Sequence, residues 1–173
     1  MDFQPKHCLF PRSEIAGAVR RLAAAITGDY HDKNPLLLGI LKGSFVFMAD
    51  LVRLLDFPLG VEFIRLSSYG GRQTSSRVKV VQGLRSAVRG REVLVVEDIV
   101  DTGSTVAFLL AYLKKKKPAS LRLCALADKP SRRQLPVKID YLGFTVPDKF
   151  LVGYGLDCDE KYRNLPDICV LEE

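Results

Sequence analysis

Apolar positions along this chain switch repeatedly between two spacings. Ile15, Val19, Leu22, Ala23 and Ile26 recur at helical intervals behind Ser13, a residue able to cap a helix, and Gly28 is placed to stop it. Leu36–Leu41 (LLLGIL) is a short continuous apolar run after Pro35, which predicts a buried strand. Residues 45–55 return to helical spacing and stop before Pro58. Val61, Phe63 and Ile64 mark another strand, and residues 78–84 a partner that forms a hairpin with it. The segment between them, residues 67–76 (SSYGGRQTSS), is polar and glycine-bearing, a candidate mobile loop. Residues 93–96 are a β-branched and leucine run of the kind that fills a central parallel strand. A helix over 105–113 and a strand over 121–127 follow, then shorter strands over 139–142, 151–154 and Ile168–Leu171. Strands alternating with helices predict an α/β fold around a mostly parallel sheet. Such sheets bind ligands beyond the carboxyl ends of their strands, so chemistry is sought there.

Composition narrows the class. A chain of 173 residues, 47% hydrophobic and 27% charged, is one domain with a sizeable core and argues against disorder. It has no run of 18 apolar residues, and MDFQPKHCLF lacks the apolar stretch of a secretory signal, so a cytoplasmic protein is expected. Four cysteines without a C-x-x-C make no disulfide framework. With only His7 and His31, most structural-zinc patterns and a Ser-His-Asp hydrolase fall away, leaving carboxylates or lysines for acid–base work. The net charge of +6 is unevenly spread. Arg65, Arg72, Arg77, Lys79, Arg85, Arg89 and Arg91 stand without an acid among them, while Glu97, Asp98 and Asp101, then Asp157, Asp159 and Glu160, cluster later. That pattern suits a phosphate-rich ligand bound with a divalent metal; a solvated basic surface and a nucleic-acid footprint share it.

The most informative string is residues 93–105, VLVVEDIVDTGST. A buried strand runs into two adjacent carboxylates, then a third, and Thr-Gly-Ser-Thr opens a helix. The helix N-terminus offers unpaired N–H groups and a positive dipole end to an anion. Gly103 lets the backbone approach a phosphate, and the hydroxyls of Thr102, Ser104 and Thr105 add donors. Glu97 and Asp98 are placed to hold sugar hydroxyls, and Asp101 to act as a base.

This string closely resembles the phosphoribosyl-diphosphate motif of the purine phosphoribosyltransferases, above all the hypoxanthine-guanine branch. Residues 41–44 (LKGS) resemble the family's pyrophosphate loop, and residues 147–157 (PDKFLVGYGLD) with 162–166 (YRNLP) its purine-binding and C-terminal segment. The similarity runs from about Leu36 to the C-terminus. It implies a single type I phosphoribosyltransferase domain over residues 1–173: a mostly parallel sheet flanked by helices, a small hood formed by the chain termini (residues 145–173 carrying the purine side), and a flexible lid over 67–77 with Ser68 and Tyr69.

Residue by residue, the resemblance implies that Lys42, Gly43, Arg133 and Arg163 face pyrophosphate, with a Leu41–Lys42 peptide that is often cis in relatives. Glu97, Asp98, Asp101, Thr102, Gly103, Ser104 and Thr105 would hold the phosphoribosyl group, and Asp101 would take the proton from purine N7. Lys129, whose ammonium has only donors, would bond the exocyclic oxygen of a 6-oxopurine. Phe150 would stack on the purine, the Leu151 backbone would pair with its edge, and Asp157 would complete the purine side. Mg2+ is the implied cofactor, on Glu97, Asp98 and Asp157. Ser104 stands where some relatives carry a lysine. The implied reaction moves the phosphoribosyl group to hypoxanthine or guanine in a homodimer or homotetramer, with no membrane or nucleic-acid partner. The alternative is an RNA-binding transcription attenuator on the same fold; Glu97-Asp98, Asp101 and residues 147–157 fit the purine enzymes better.

Overall fold

The computed structural model describes residues 5–69 and 77–171. Its elements in order are β1 (Pro5–Phe10), α1 (Arg12–Tyr30), β2 (Leu36–Leu41), α2 (Phe45–Val52), β3 (Gly60–Tyr69), β4 (Arg77–Gln82), β5 (Glu92–Val100), α3 (Ser104–Lys114), β6 (Ser120–Asp128), β7 (Tyr141–Thr145), β8 (Phe150–Val152) and β9 (Ile168–Leu171), with a 3-10 turn over Pro130–Arg132. Six strands form the main sheet in the order β4-β3-β2-β5-β6-β7. All its pairings are parallel except β3 with β4, the expected antiparallel hairpin. A second, antiparallel sheet, β1-β9-β8, joins the two ends of the chain as a hood.

Parallel strands covered on both faces must be apolar on both, which explains why β2 and the start of β5 read as unbroken hydrophobic runs. Leu37, Leu94 and Val96 pack with Ile15, Leu22, Ile26 and Phe47 of α1 and α2, and with Leu151 and Val170 of the hood. Leu36, Leu38, Val93 and Val95 point to the opposite face, against Val106, Leu109 and Leu113 of α3. The alternation follows from the strand's two-residue period.

Several boundaries differ from the sequence expectation. Helix α1 starts behind Pro11 with no side-chain cap, so Ser13 lies inside it, and it runs through Gly28 to Tyr30. A helical glycine costs about 1 kcal/mol, less than the ~1.5–3 kcal/mol that burying a large side chain contributes, and Tyr30 is buried. Helix α2 ends at Val52, and Leu55 stays buried beyond it. Strand β3 continues through the polar residues to Tyr69 because β4 pairs with it to that point. Strand β5 absorbs Glu97 and Asp98, β7 lies later than expected, and β1, although the expected hood draws on both chain termini, is a strand that the hydrophobic pattern does not mark. The side chains of Ser68 and Tyr69, and most of the expected lid, lie outside the described residues.

Candidate active site

Strands β2, β5 and β6 are adjacent and parallel, so the loops leaving Leu41, Val100 and Asp128 open on one edge of the sheet. After β5 the chain turns through Asp101 and Thr102 into Gly103, whose φ is +84° at the start of α3. A Cβ on Gly103 would lie 2.5 Å from the Leu135 carbonyl oxygen and 3.0 Å from Arg133 Cδ, so the turn admits only glycine without rearrangement. The Gln134 and Leu135 N–H groups donate to Thr102 O (2.9 and 3.1 Å), fixing the loop from behind. Thr102 Oγ1 donates to Ser104 Oγ (3.2 Å) and accepts from the Ser104 N–H (3.3 Å). The result is a cavity of about 80 Å³ lined by Glu97, Asp101, Thr102, Gly103 and Thr105, at the positive end of a helix.

The two neighbouring carboxylates serve different surroundings. Glu97 is buried, its Oε2 has no hydrogen-bond partner, and burial, with the charge of Asp98 added, pushes its pKa well up. Asp98 instead lies against the β2 loop: a Cβ on Gly43 would be 1.7 Å from Asp98 Oδ2. Burial pushes Asp98 up to about 6, against the N–H groups of Ile99 and Asp98 and the charge of Arg163. The Leu41–Lys42 peptide beside it is cis. Gly155, at φ +99°, presses on the same loop; its Cβ would meet the Gly43 carbonyl oxygen at 2.2 Å. Gly43 and Gly155 are therefore glycines because backbone and carboxylate meet there without room for a side chain.

An ionic cluster borders this contact. Arg163 Nη2 lies 2.8 Å from Asp157 Oδ1 and 3.3 Å from Glu160 Oε2, and its Nη1 donates to Gly155 O (2.8 Å). Lys42 Nζ lies 2.9 Å from Glu160 Oε1, and the Glu160 N–H donates to Asp157 Oδ2 (2.9 Å). Both Asp157 oxygens are thus engaged within the chain. Glu160 joins Lys42 to Arg163, a link that sequence reading missed; its signal was an acid three residues after Asp157.

On the β6 side, Lys129 is buried and its Nζ donates to Lys149 O (2.8 Å), just before Phe150. Arg133 is drawn inward, paired with Asp128 and donating to Val100 O (3.4 Å), and its Nε is buried without a partner. Its neighbour Arg132, which sequence reading left without a role, reaches Asp101 Oδ1 through Nε at 3.1 Å and Asp148 through Nη1 at 3.8 Å. Phe150 is 55% exposed while Leu151 beside it is buried. The fold therefore brings the segments holding Lys42, Gly43, Glu97, Asp98, Asp101–Thr105, Lys129, Arg133, Phe150, Asp157 and Arg163 to one edge.

A phosphoribosyl transferase domain model matches residues 9–159. The chain is 45% identical over 165 residues to the hypoxanthine-guanine phosphoribosyltransferase of Bacillus subtilis (strain 168), covering 95% of this chain and 92% of that one. It is 46% identical over 169 residues to the enzyme of the same name from Streptococcus pneumoniae (strain ATCC BAA-255 / R6), covering 97% and 94%. The crystal structure of a hypoxanthine-guanine phosphoribosyltransferase from Bacillus anthracis, with a HEPES molecule in its active site, matches with a TM-score of 0.94 at 40% identity, covering 98% of this chain and 100% of that one.

Proposed function

The chain belongs to the phosphoribosyltransferase family, and on that premise we propose that it transfers the 5-phosphoribosyl group of phosphoribosyl diphosphate to N9 of hypoxanthine or guanine, giving IMP or GMP and pyrophosphate. One observation carries the reading: the Gly103 cradle, the Gly43–Asp98–Gly155 contact and the buried Lys129 open on the same edge of the sheet. These parts suit, in turn, a 5-phosphate, a diphosphate beside its ribose, and a 6-oxopurine. The transferases just described are relatives that this chain resembles, which supports the enzyme reading over the RNA-binding one.

In this reading the protein positions two reactants and stabilises the charge of a leaving group. The 5-phosphate enters the α3 cradle, held by the N–H groups and hydroxyls of Thr102, Ser104 and Thr105. Glu97 and Asp98 hold the ribose hydroxyls. Lys42, Arg133 and Arg163 face pyrophosphate, so the Lys42–Glu160–Arg163 links would loosen as phosphate oxygens replace Glu160. Lys129 turns from the Lys149 carbonyl to the purine's exocyclic oxygen, Phe150 stacks on the ring, and the Leu151 backbone meets its edge. Asp101, released from Arg132, accepts the N7 proton. Ser68 and Tyr69 belong to the lid.

Mg2+ is the cofactor of this reading. Glu97, with a buried oxygen that has no donor, and Asp98, held up near 6, are hard-oxygen groups short of positive charge that face different surroundings, so diphosphate oxygens would complete the shell. Glu97, Asp98 and Asp157 would hold the ion, which when bound neutralises diphosphate charge. We place the enzyme in the cytoplasm as a homodimer or homotetramer. Phe45 and Leu54, 43% and 45% exposed beside a groove of about 740 Å³ between α1 and α2, suit a contact between copies. Among the described residues no helix is long and apolar enough to cross a membrane.

Steady-state kinetics with hypoxanthine, guanine, xanthine and adenine tests the reading. A site built around a lysine donor should favour a 6-oxopurine over adenine by roughly 10⁴-fold in kcat/KM. Comparable values for adenine and hypoxanthine would overturn the Lys129 assignment, and no turnover of any oxopurine would overturn the function.

A further inference from the structure

Cys8 and Cys169 are direct partners across the antiparallel β1–β9 pair, beside His7 opposite Val170 and between two shifts of register. Opposed residues in such a pair have Cα atoms about 4.5 or 5.5 Å apart, and both values lie within the ~4.4–6.8 Å that a disulfide spans. The two side chains lie close enough to interact. Cys8 is exposed and Cys169 half-buried, whereas Cys124 is buried in the sheet and Cys158 sits apart in the 153–163 segment. Register, contact and access therefore single out one pair among the four thiols. Among the described residues, strand β1 is the edge of the hood sheet, with β9 as its strand neighbour there.

We propose that Cys8 and Cys169 form a reversible dithiol–disulfide site that fastens the N-terminal strand to the middle strand of the hood. The co-reactant is an oxidised low-molecular-weight thiol. The Cys8 thiolate attacks one sulfur of that small disulfide; its S–S bond breaks, a mixed disulfide forms on Cys8, and one small thiolate leaves. Cys169 then gives up its proton and attacks the Cys8 sulfur, forming the Cys8–Cys169 bond and releasing the second thiolate. Two electrons pass from the cysteine pair to the small disulfide, which becomes two thiols. Cys8 attacks first because it is the exposed sulfur. Burial, Asp167 and Glu14 hold its pKa above the usual range, so exchange is slow at neutral pH and faster in mild alkali. A bond between the two ends of the chain restricts the unfolded state strongly.

The test uses the full-length reduced protein and oxidised glutathione, read by intact mass, peptide mapping and thermal unfolding. The expected product is lighter by two hydrogens, yields a peptide joining Cys8 to Cys169, reverts with dithiothreitol, and melts about 10 °C higher. Cys169→Ser should stop at a glutathione adduct on Cys8, and Cys8→Ser should give neither cross-link nor shift. Cys8 is exposed, so the reduced Cys8→Ser variant should melt with the reduced wild type. A wild-type protein that retains the adduct without closing, or closes another pair, or melts identically in both states, overturns the proposal.

Discussion

Asp101 Oδ1 lies 3.1 Å from Nε of Arg132, a side chain of another loop, as an ion pair without a hydrogen bond. Arg132 is itself shared with Asp148, so the link is divided and half exposed, of the kind that contributes little to stability. Releasing Asp101 for proton transfer therefore costs little. If Asp101 is the base, Asp101→Asn should lower kcat by about 100-fold while leaving KM for phosphoribosyl diphosphate within about twofold. Steady-state kinetics checks this, and a wild-type kcat would remove the role. At this scale the residue types were legible: an ammonium, a donor-rich turn and three carboxylates announce themselves. Which atoms they touch was not. Nothing in the linear order says that Asp98 abuts Gly43, or that Lys129 rests on the carbonyl of Lys149.

Among the elements, the junction of β5 and α3 concentrates the site's demands. The strand delivers Glu97 and Asp98, the turn closes at φ +84°, and the helix presents its N-terminus to the same small cavity. Gly103→Ala would force a Cβ toward the Leu135 carbonyl in a backbone region costly for alanine. The expected outcome is a loss of about 2–3 kcal/mol in denaturant unfolding, together with a raised KM for phosphoribosyl diphosphate, because the cradle opens with the clash. Unchanged stability and KM would show that the turn does not depend on glycine. The opposite case is β1, PKHCLF, which shows no clear alternation and a weak strand signal; its pairing with β9 at the far end of the chain makes it a strand.

For the whole molecule, the charge distribution and the topology act together. Among the described residues no three His, Cys, Asp or Glu side chains are grouped as a cage, and both Asp157 oxygens are engaged by Arg163 and Glu160. A magnesium ion would need diphosphate oxygens to fill its shell. Calorimetry should therefore show negligible Mg2+ binding to the free protein and clear binding once phosphoribosyl diphosphate is added. Tight binding by the free protein would overturn this.

The sequence by itself determined the α/β alternation, the β5–α3 string and the family, because a strand buried on both faces must be apolar throughout and a phosphate turn must carry glycine and hydroxyls. It also marked Lys42, Lys129 and Asp157 as chemically notable. Tertiary structure alone decided where helices and strands ended, since burial of Tyr30 carries α1 past Gly28 and pairing with β4 carries β3 through polar residues. It decided the partners of Arg132 and Glu160, and it set Cys8 beside Cys169. Such contacts join residues far apart in the chain, and they exist only once the sheet order has placed their strands next to one another.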